Sequence, residues 1–488
     1  MFRDESSKVI QKAHAQWGSS GSPTEQSRSF ASTSAAASAW TDESSSSASD
    51  SPPDNSSLPL PGLVPAKIPK KVDLNIEQQG LQFYINRYLM NHPDSPRTSE
   101  QVATYFSRAD TAQNVMIAVG LAGLSNLLGN KNMNLVARSK YVASLKQTGQ
   151  LIASNDPAGF VARLRSVVTL ALFEVVQGRG SRVAVGLAST HVNGAVAVLR
   201  SVLPLPQAPN GGFIPYQATG TPLPPGFFEA LKFCKQLMQG VPESCSVDLA
   251  LAMVRLLQLS ATFEHTVYTD GRPAADDIIR QFIQLDNTFD GLERRLLEVF
   301  PFTENRGEYP PEAVFRGKWH KYNVIWAARL WNHYRWAHIL TNQKLVKFMK
   351  IYPISSSRTL PAPRRVKCYT TIERLAEDIL ISVPSHWHHP TLDPEVTLEF
   401  EADGYGNSGA VGVPSLLWHL KVAGCAPNVP PEFWDWAYNA MQVIWRQMGM
   451  LHAKALSEIM EEHRSKLNKE AAGHKVKLEE EDGQRRIY

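Results

Sequence analysis

Along residues 322–351 apolar and aromatic side chains return every three or four positions: Val324, Ala328, Trp331, Tyr334 or Arg335, His338 and Leu345. Asn323, Arg329 and Lys344 fall off that line. Such spacing is that of a helix with one buried face. At about 1.5 Å per residue the helix would run roughly 45 Å. Trp326, Trp331 and Trp336 add so much apolar area that other helices are expected to pack along it.

The same period predicts helices through most of the chain from Asp73 onward. Asp73 or Asn75 supplies a capping acceptor for a helix over 76–90, which stops before His92-Pro93. Asp110 or Thr111 opens the next, which ends at Gly129 and is apolar nearly all round, a pattern that places it between other helices. A helix over 133–152 turns Leu135, Tyr141, Leu145 and Leu151 inward. Asp156-Pro157 starts another, with Val161, Leu164, Val168, Leu172 and Val175 inside and Gly178 at its end. Helices over 188–203, 226–239 and 244–264 follow, and 273–299 reads as two shorter helices around Leu285, Phe289, Leu292 and Leu296. After the long helix, 370–383 is amphipathic up to Pro384, 413–423 is helical, and Pro430-Pro431 open a helix that packs Phe433, Trp434, Tyr438, Met441, Trp445 and Met448. Only VTLEF at 396–400 alternates as a strand does. The fold class is all-α, a large irregular array of helices without a fixed sequence repeat.

Composition changes the picture at the two ends. The first 72 residues, with runs such as TDESSSSASDSPPDNSS, are too polar to bury a core and read as a disordered Ser/Pro-rich leader. Residues 73–464 form the helical domain, and 465–488 form a charged tail. The chain has 488 residues, 43% of them hydrophobic, and 50 Lys+Arg against 46 Asp+Glu, so no overall field marks it as a nucleic-acid or membrane-surface binder. Its amino terminus, MFRDESSKVI, has no secretory signal, and the apolar runs at 115–128 and 167–176 fall short of a membrane span of about 20 residues. The expectation is a soluble intracellular protein with no membrane partner.

Candidate chemistry is sparse. GYGNSG, with Gly404, Gly406 and Gly409, has the dinucleotide-binding spacing, but Pro414 interrupts the helix that would hold a pyrophosphate. A flexible loop is the reading. His386, His388 and His389 in SHWHHP are metal-ligand types, yet adjacent imidazoles do not readily share one ion, and a polar loop is the better reading. Glu264-His265 and Glu462-His463 are isolated pairs, and Lys67, Lys70 and Lys71 form a weak basic cluster in the leader. Cys234, Cys245, Cys368 and Cys425 lie too far apart for a metal knuckle and read as buried free thiols. No catalytic, cofactor-binding, metal or DNA-binding residue and no cofactor is assigned.

Short words along the chain add a family resemblance. Leu330-Trp331-Asn332 and Tyr334-Arg335, followed by Ile339-Leu340, resemble the central helix of the fungal-specific transcription factor family. In the same order, QFYINRY (82–88), ARSKYVASL (137–145), LFEVV (172–176) with HVNGA (191–195), EDILISVPSH (377–386), LLWHLKVAG (416–424) and WRQMGMLHAKAL (445–456) resemble further elements of its regulatory domain. Ser144 and Phe173 depart from the usual alanine and tyrosine. The family's DNA-binding domain needs six closely spaced cysteines around two zinc ions, whereas this chain has 4 in all. MFRDESSKVIQKA resembles the segment that follows that cluster, so the cluster is either naturally lacking or encoded upstream.

The resemblance implies a nuclear regulator of metabolic or secondary-metabolite genes, without a zinc cluster in this chain. It would work through protein partners, as a homodimer or as a heterodimer with a DNA-binding regulator, and would take a small-molecule effector between helices. Rival readings are a helical scaffold without a transcriptional role and an enzyme on a helical fold.

Overall fold

The computed structural model describes residues 75–89, 112–153, 160–178, 227–268, 272–393, 396–400 and 413–485. The leader, the basic lysines 67–71, the helix expected at 188–203 and the GYGNSG glycines lie outside these residues. Within them the chain is helical, as its periodicity predicts.

Helix α1 (Ile76–Tyr84) starts at Asn75, whose side chain accepts from Gln78 N at 2.8 Å while Gln78 Oε1 accepts from Asn75 N at 3.1 Å. This reciprocal cap satisfies two of the amide donors that a helix start leaves open. A single π-turn, Ile85–Leu89, continues it. Helix α2 (Gln113–Leu128) packs on α1, on α3 (Lys131–Ala153) and on α4 (Phe160–Gln177), which accounts for its all-round apolarity.

The inward faces of α3 and α4 differ from those read in the sequence. Leu135 is 64% exposed, and Met133, Ala137, Ser144 and Thr148 are buried instead. Tyr141 sets that phase by stacking on Phe173 at 4.2 Å and donating to Glu174. Val168 likewise faces out, while Val167, Leu170, Leu172, Phe173 and Val176 face in.

Where α1 crosses α2, two glycines replace side chains. A Cβ added at Gly120 would sit 1.8 Å from Gly80 O, an approach that only bare backbone tolerates. Gly120→Val is therefore expected to force α1 off α2 and lower stability by about 3 kcal/mol or more. Urea denaturation, with amide exchange across 76–89, reads both effects. An unchanged midpoint together with unchanged exchange would remove the close crossing as their cause.

Helix α5 (Phe227–Leu237) leads to α6 (Cys245–Tyr268) and then to α7 (Arg272–Val299). The segment 273–299 is thus one helix and not two: the interior Gly291 costs only about 1 kcal/mol relative to alanine, and Leu285, Phe289, Leu292 and Leu296 are buried on both sides of it. The stretch Pro242–Phe263 is long and apolar enough to cross a membrane by length and composition, and half of it is buried against the rest of the molecule.

A hairpin absent from the sequence reading follows. Strand β1 (Phe302–Arg306) pairs antiparallel with β2 (Lys318–Tyr322), Phe302 opposite Tyr322 and Arg306 opposite Lys318. Conversely, the strand expected at 396–400 is a helical turn, α11 (Thr397–Phe400). The Phe400 ring lies 5.1 Å from both Tyr309 and Trp319, so packing under the hairpin decides its conformation.

The long helix is α8 (Ile325–Ile351), and α6, α7, α10 (Ala362–Ile381) and α12 (Val413–Gly424) pack along it. Its expected inner face holds at Ala328, Trp331, Tyr334, Arg335, His338 and Leu345, whereas Val324 is exposed. A short α9 (Pro353–Thr359) joins α8 to α10, which begins well before the expected residue 370, with the Pro361 carbonyl accepting from Arg364 N at 2.9 Å and Arg365 N at 3.0 Å. Helix α13 (Pro431–Met448) ends at Gly449, whose φ of 62° is left-handed and lets the chain reverse into α14 (Leu451–Arg485). That reversal returns to the start of the domain. Asn126 Nδ2 donates to Val176 O at 3.0 Å and to Gly449 O at 2.8 Å, and the Tyr88 hydroxyl donates to Met448 O.

Candidate functional site

The core around α8 is not purely apolar. Asn332, Arg335, His338 and Asn342 recur three and four residues apart, and each is buried. A buried polar group without a partner costs free energy, so each of these must be answered by neighbouring helices. They are answered in two clusters.

The first joins α7, α8 and α10 around Asp286, which is 0% exposed. Its Oδ1 accepts from His338 Nε2 at 2.7 Å and from Asn342 Nδ2 at 2.7 Å. Its Oδ2 accepts from Arg364 Nη2 at 2.6 Å and from Lys367 Nζ at 3.2 Å. Burial alone would raise the Asp286 carboxyl, but His338, Arg364 and Asn342 outweigh it and hold it well below the ordinary carboxylate range. The Tyr334 hydroxyl lies 3.0 Å from His338 Nδ1, completing a carboxylate, imidazole and hydroxyl in a row.

The second cluster ties β2 to α8 and α10 around Arg335, which is 1% exposed. Arg335 Nη1 donates to the Tyr322 hydroxyl at 2.8 Å and to Asn332 Oδ1 at 2.9 Å, and Nη2 lies 3.2 Å from His320 Nδ1. The Tyr322 hydroxyl also lies 3.2 Å from that nitrogen. With two donors facing it, Nδ1 carries the lone pair, and Nε2 carries the proton toward Asp378 Oδ1 at 3.8 Å. Burial first, and then Arg335 and Lys318, push His320 down to about 2, so the ring is neutral. Asp378, 3.9 Å from Arg335 Nε, is the nearest counter-charge, and burial raises its carboxyl.

Asp286, Asp290 and His338 offer donor atoms within 4.8 Å of one another, a separation compatible with one metal ion. The surroundings do not fit one. Lys367 bridges Asp286 and Asp290, and Arg364 adds a second cation on Asp286, so the two carboxylates already have their counter-charges. The arrangement is an ion-paired clamp on three helices.

The SHWHHP segment is buried, which corrects its reading as a polar loop. His386, His388 and His389 are enclosed because Trp387 anchors the turn in the core and Ser385 Oγ donates to His320 O. His386 Nδ1 donates to Ser382 O at 3.0 Å, and His389 Nδ1 lies 2.8 Å from Thr391 Oγ1, so these two imidazoles serve different partners. The Ser382 hydroxyl bridges onward to α8, 3.1 Å from Asn332 Oδ1.

All four cysteines are free thiols, Cys245 and Cys368 buried and Cys234 and Cys425 partly so. Burial pushes the Cys368 thiol up to about 12, which makes it inert. Between α5, α6 and α7 a groove of about 710 Å³ has Leu251, Ala252, Leu285 and Leu292 on its floor and Lys235, Asp248 and Arg295 on its rim. Asp248 pairs there with Lys235 at 2.5 Å and with Arg295 at 2.7 Å. No protein-family model, curated protein or solved structure matches the chain.

Proposed function

We propose that this chain is a transcription-regulatory protein-interaction module of the fungal-specific kind, acting in the nucleus on metabolic or secondary-metabolite genes through partner proteins. The observation that supports this reading is the shared order of the family-like words, several of which fall at joints between helices. Tyr88 bonds to Met448 O, Asn332 and Arg335 form the centre of the polar core, Ser382 bridges α10 to α8, and Gly449 makes the last reversal. The Asp286, His338 and Tyr334 row has the residue types of a catalytic relay, but all three are closed off from solvent, which favours support over catalysis. The groove between α5 and α7 is of a size suited to a small-molecule effector.

Tethering tests the reading. Fused to an unrelated DNA-binding domain, the full chain is expected to change transcription of a reporter several-fold in either direction and to concentrate in the nucleus. An unchanged reporter with the fusion present in the nucleus would overturn it.

A further inference from the structure

Two enclosed arginines among the described residues face carboxylates: Arg335 lies 3.9 Å from Asp378, and Arg364 lies 2.6 Å from Asp286. Arg329, like Arg365, breaks that pattern. It sits one turn before His333 on α8, half-buried, and among the described residues its guanidinium has no hydrogen-bond or ion-pair partner. Its Nε is enclosed without an acceptor, and burial lowers its pKa.

The groups around it are basic as well. His333 shares its face of α8, with Nδ1 lying 3.1 Å from Nε2 of the buried His419 on α12. His386, on the turn after α10, feels the charges of Arg329, Arg335 and His333. His333 and His386 are each pushed down to about 4, first by burial and then, for His333, by Arg329. Among the described residues no carboxylate pairs with Arg329 or His333. A partly buried arginine whose Nε is enclosed without an acceptor, beside imidazoles and with no paired carboxylate, has donors that an anion would complete.

We propose that Arg329, with the His333 and His419 pair beside it, forms a binding site for a small oxyanion, the carboxylate or phosphate group of a diffusible ligand, while His386, whose Nδ1 donates to Ser382 O, only walls it. The planar guanidinium presents a fork of donors that fits two oxygens of either group. Partial burial strengthens the attraction relative to an arginine in open water. The half-exposed Arg329 and His333 give access from solvent, while the buried His386 and His419 close the inner wall. A cation would be repelled by Arg329, so the paired His333 and His419 nitrogens are not read as metal ligands.

The experiment is thermal unfolding of the full chain at pH 7.5 with sodium phosphate or sodium succinate, each against sodium chloride at equal ionic strength. At least one oxyanion is expected to raise Tm along a saturating curve that chloride does not produce. A response to phosphate alone assigns a phosphoryl ligand, and a response to succinate alone assigns a carboxylate. Arg329→Gln is expected to weaken the apparent affinity by about tenfold or more, and Arg294→Gln, at an exposed arginine on α7, to leave it unchanged. In anion-free buffer Arg329→Met is expected to unfold at a higher temperature than the parent, because it removes an uncompensated charge; a purely structural arginine would give the reverse. Equal curves for oxyanion and chloride in the parent chain, or an undiminished response in Arg329→Gln, would overturn the proposal.

Discussion

Acidification from pH 7 to about pH 5 is expected to unfold this protein. Among the described residues burial holds at least four histidines neutral: His320 is pushed down to about 2, and His333, His386 and His452 to about 4. In the unfolded chain each would titrate at the ordinary value near 6.5. Above that value both states are neutral and pH has no effect through these groups. Below it the unfolded state takes up protons that the native state refuses, so stability falls as pH falls, and it continues to fall until the native rings protonate near pH 4. Each such histidine contributes a slope of up to about 1.4 kcal/mol per pH unit, and four together approach about 5.6. Domains are generally stable by only about 5–15 kcal/mol, so between one and three pH units suffice.

Asp378, whose carboxyl is raised, works in the opposite sense, and the depressed Asp286, Glu293 and Asp248 add to the loss only at more acid pH. Circular dichroism at 222 nm against pH reads the transition, and substituting His452 by Asn should shift its midpoint to lower pH. Helicity retained unchanged at pH 4.5 would refute the account.

Removal of the Asp286 carboxylate carries the second large effect. Asp286→Ala leaves His338 Nε2 and Asn342 Nδ2 without the acceptor they share and deprives Arg364 and Lys367 of a buried counter-charge. Breaking a buried ionic cluster from one side costs about 3–5 kcal/mol. The urea midpoint is expected to fall accordingly with an unchanged slope. Lys367 keeps Asp290 as a counter-charge, whereas Arg364, 19% exposed, is left without one, so Arg364→Met added to Asp286→Ala should recover part of the loss. A midpoint within experimental error of the parent would show that the cluster contributes nothing to stability.

The parts of this fold that the sequence displays are those written in local spacing. Asn75 and Gln78 announce the first helix, Gly129 ends the second with a φ of 64°, and the stripe from Ala328 to Leu345 marks the central helix correctly. Helix phase was harder to read, because small residues such as Ala137 and Ser144 face the core and leave the larger Leu135 outside. One interior glycine costs a helix only about 1 kcal/mol, which packing of Phe289 and Leu292 offsets, so α7 runs unbroken through Gly291. The hairpin escaped because FTENR and KWHKY gain their conformation from one another and from rings beneath them, not from alternation. The polar core escaped for a related reason: Asp286 and His338 are 52 residues apart, and Asn332 and Ser382 are 50 apart. Nothing in the neighbourhood of either residue identifies its partner. SHWHHP displays its imidazoles in one stretch, whereas the unpaired charge beside them belongs to Arg329 on another helix.

The hydrogen bonds from Asn126 to Gly449 and from Tyr88 to Met448 span 323 and 360 residues. While the ribosome is still making the protein, α1 and α2 have emerged long before their last partners exist. Their exposed grease must wait, or be shielded by chaperones, until the polypeptide is nearly finished. A nascent chain halted before residue 448 should accordingly be open to protease at its earliest helices.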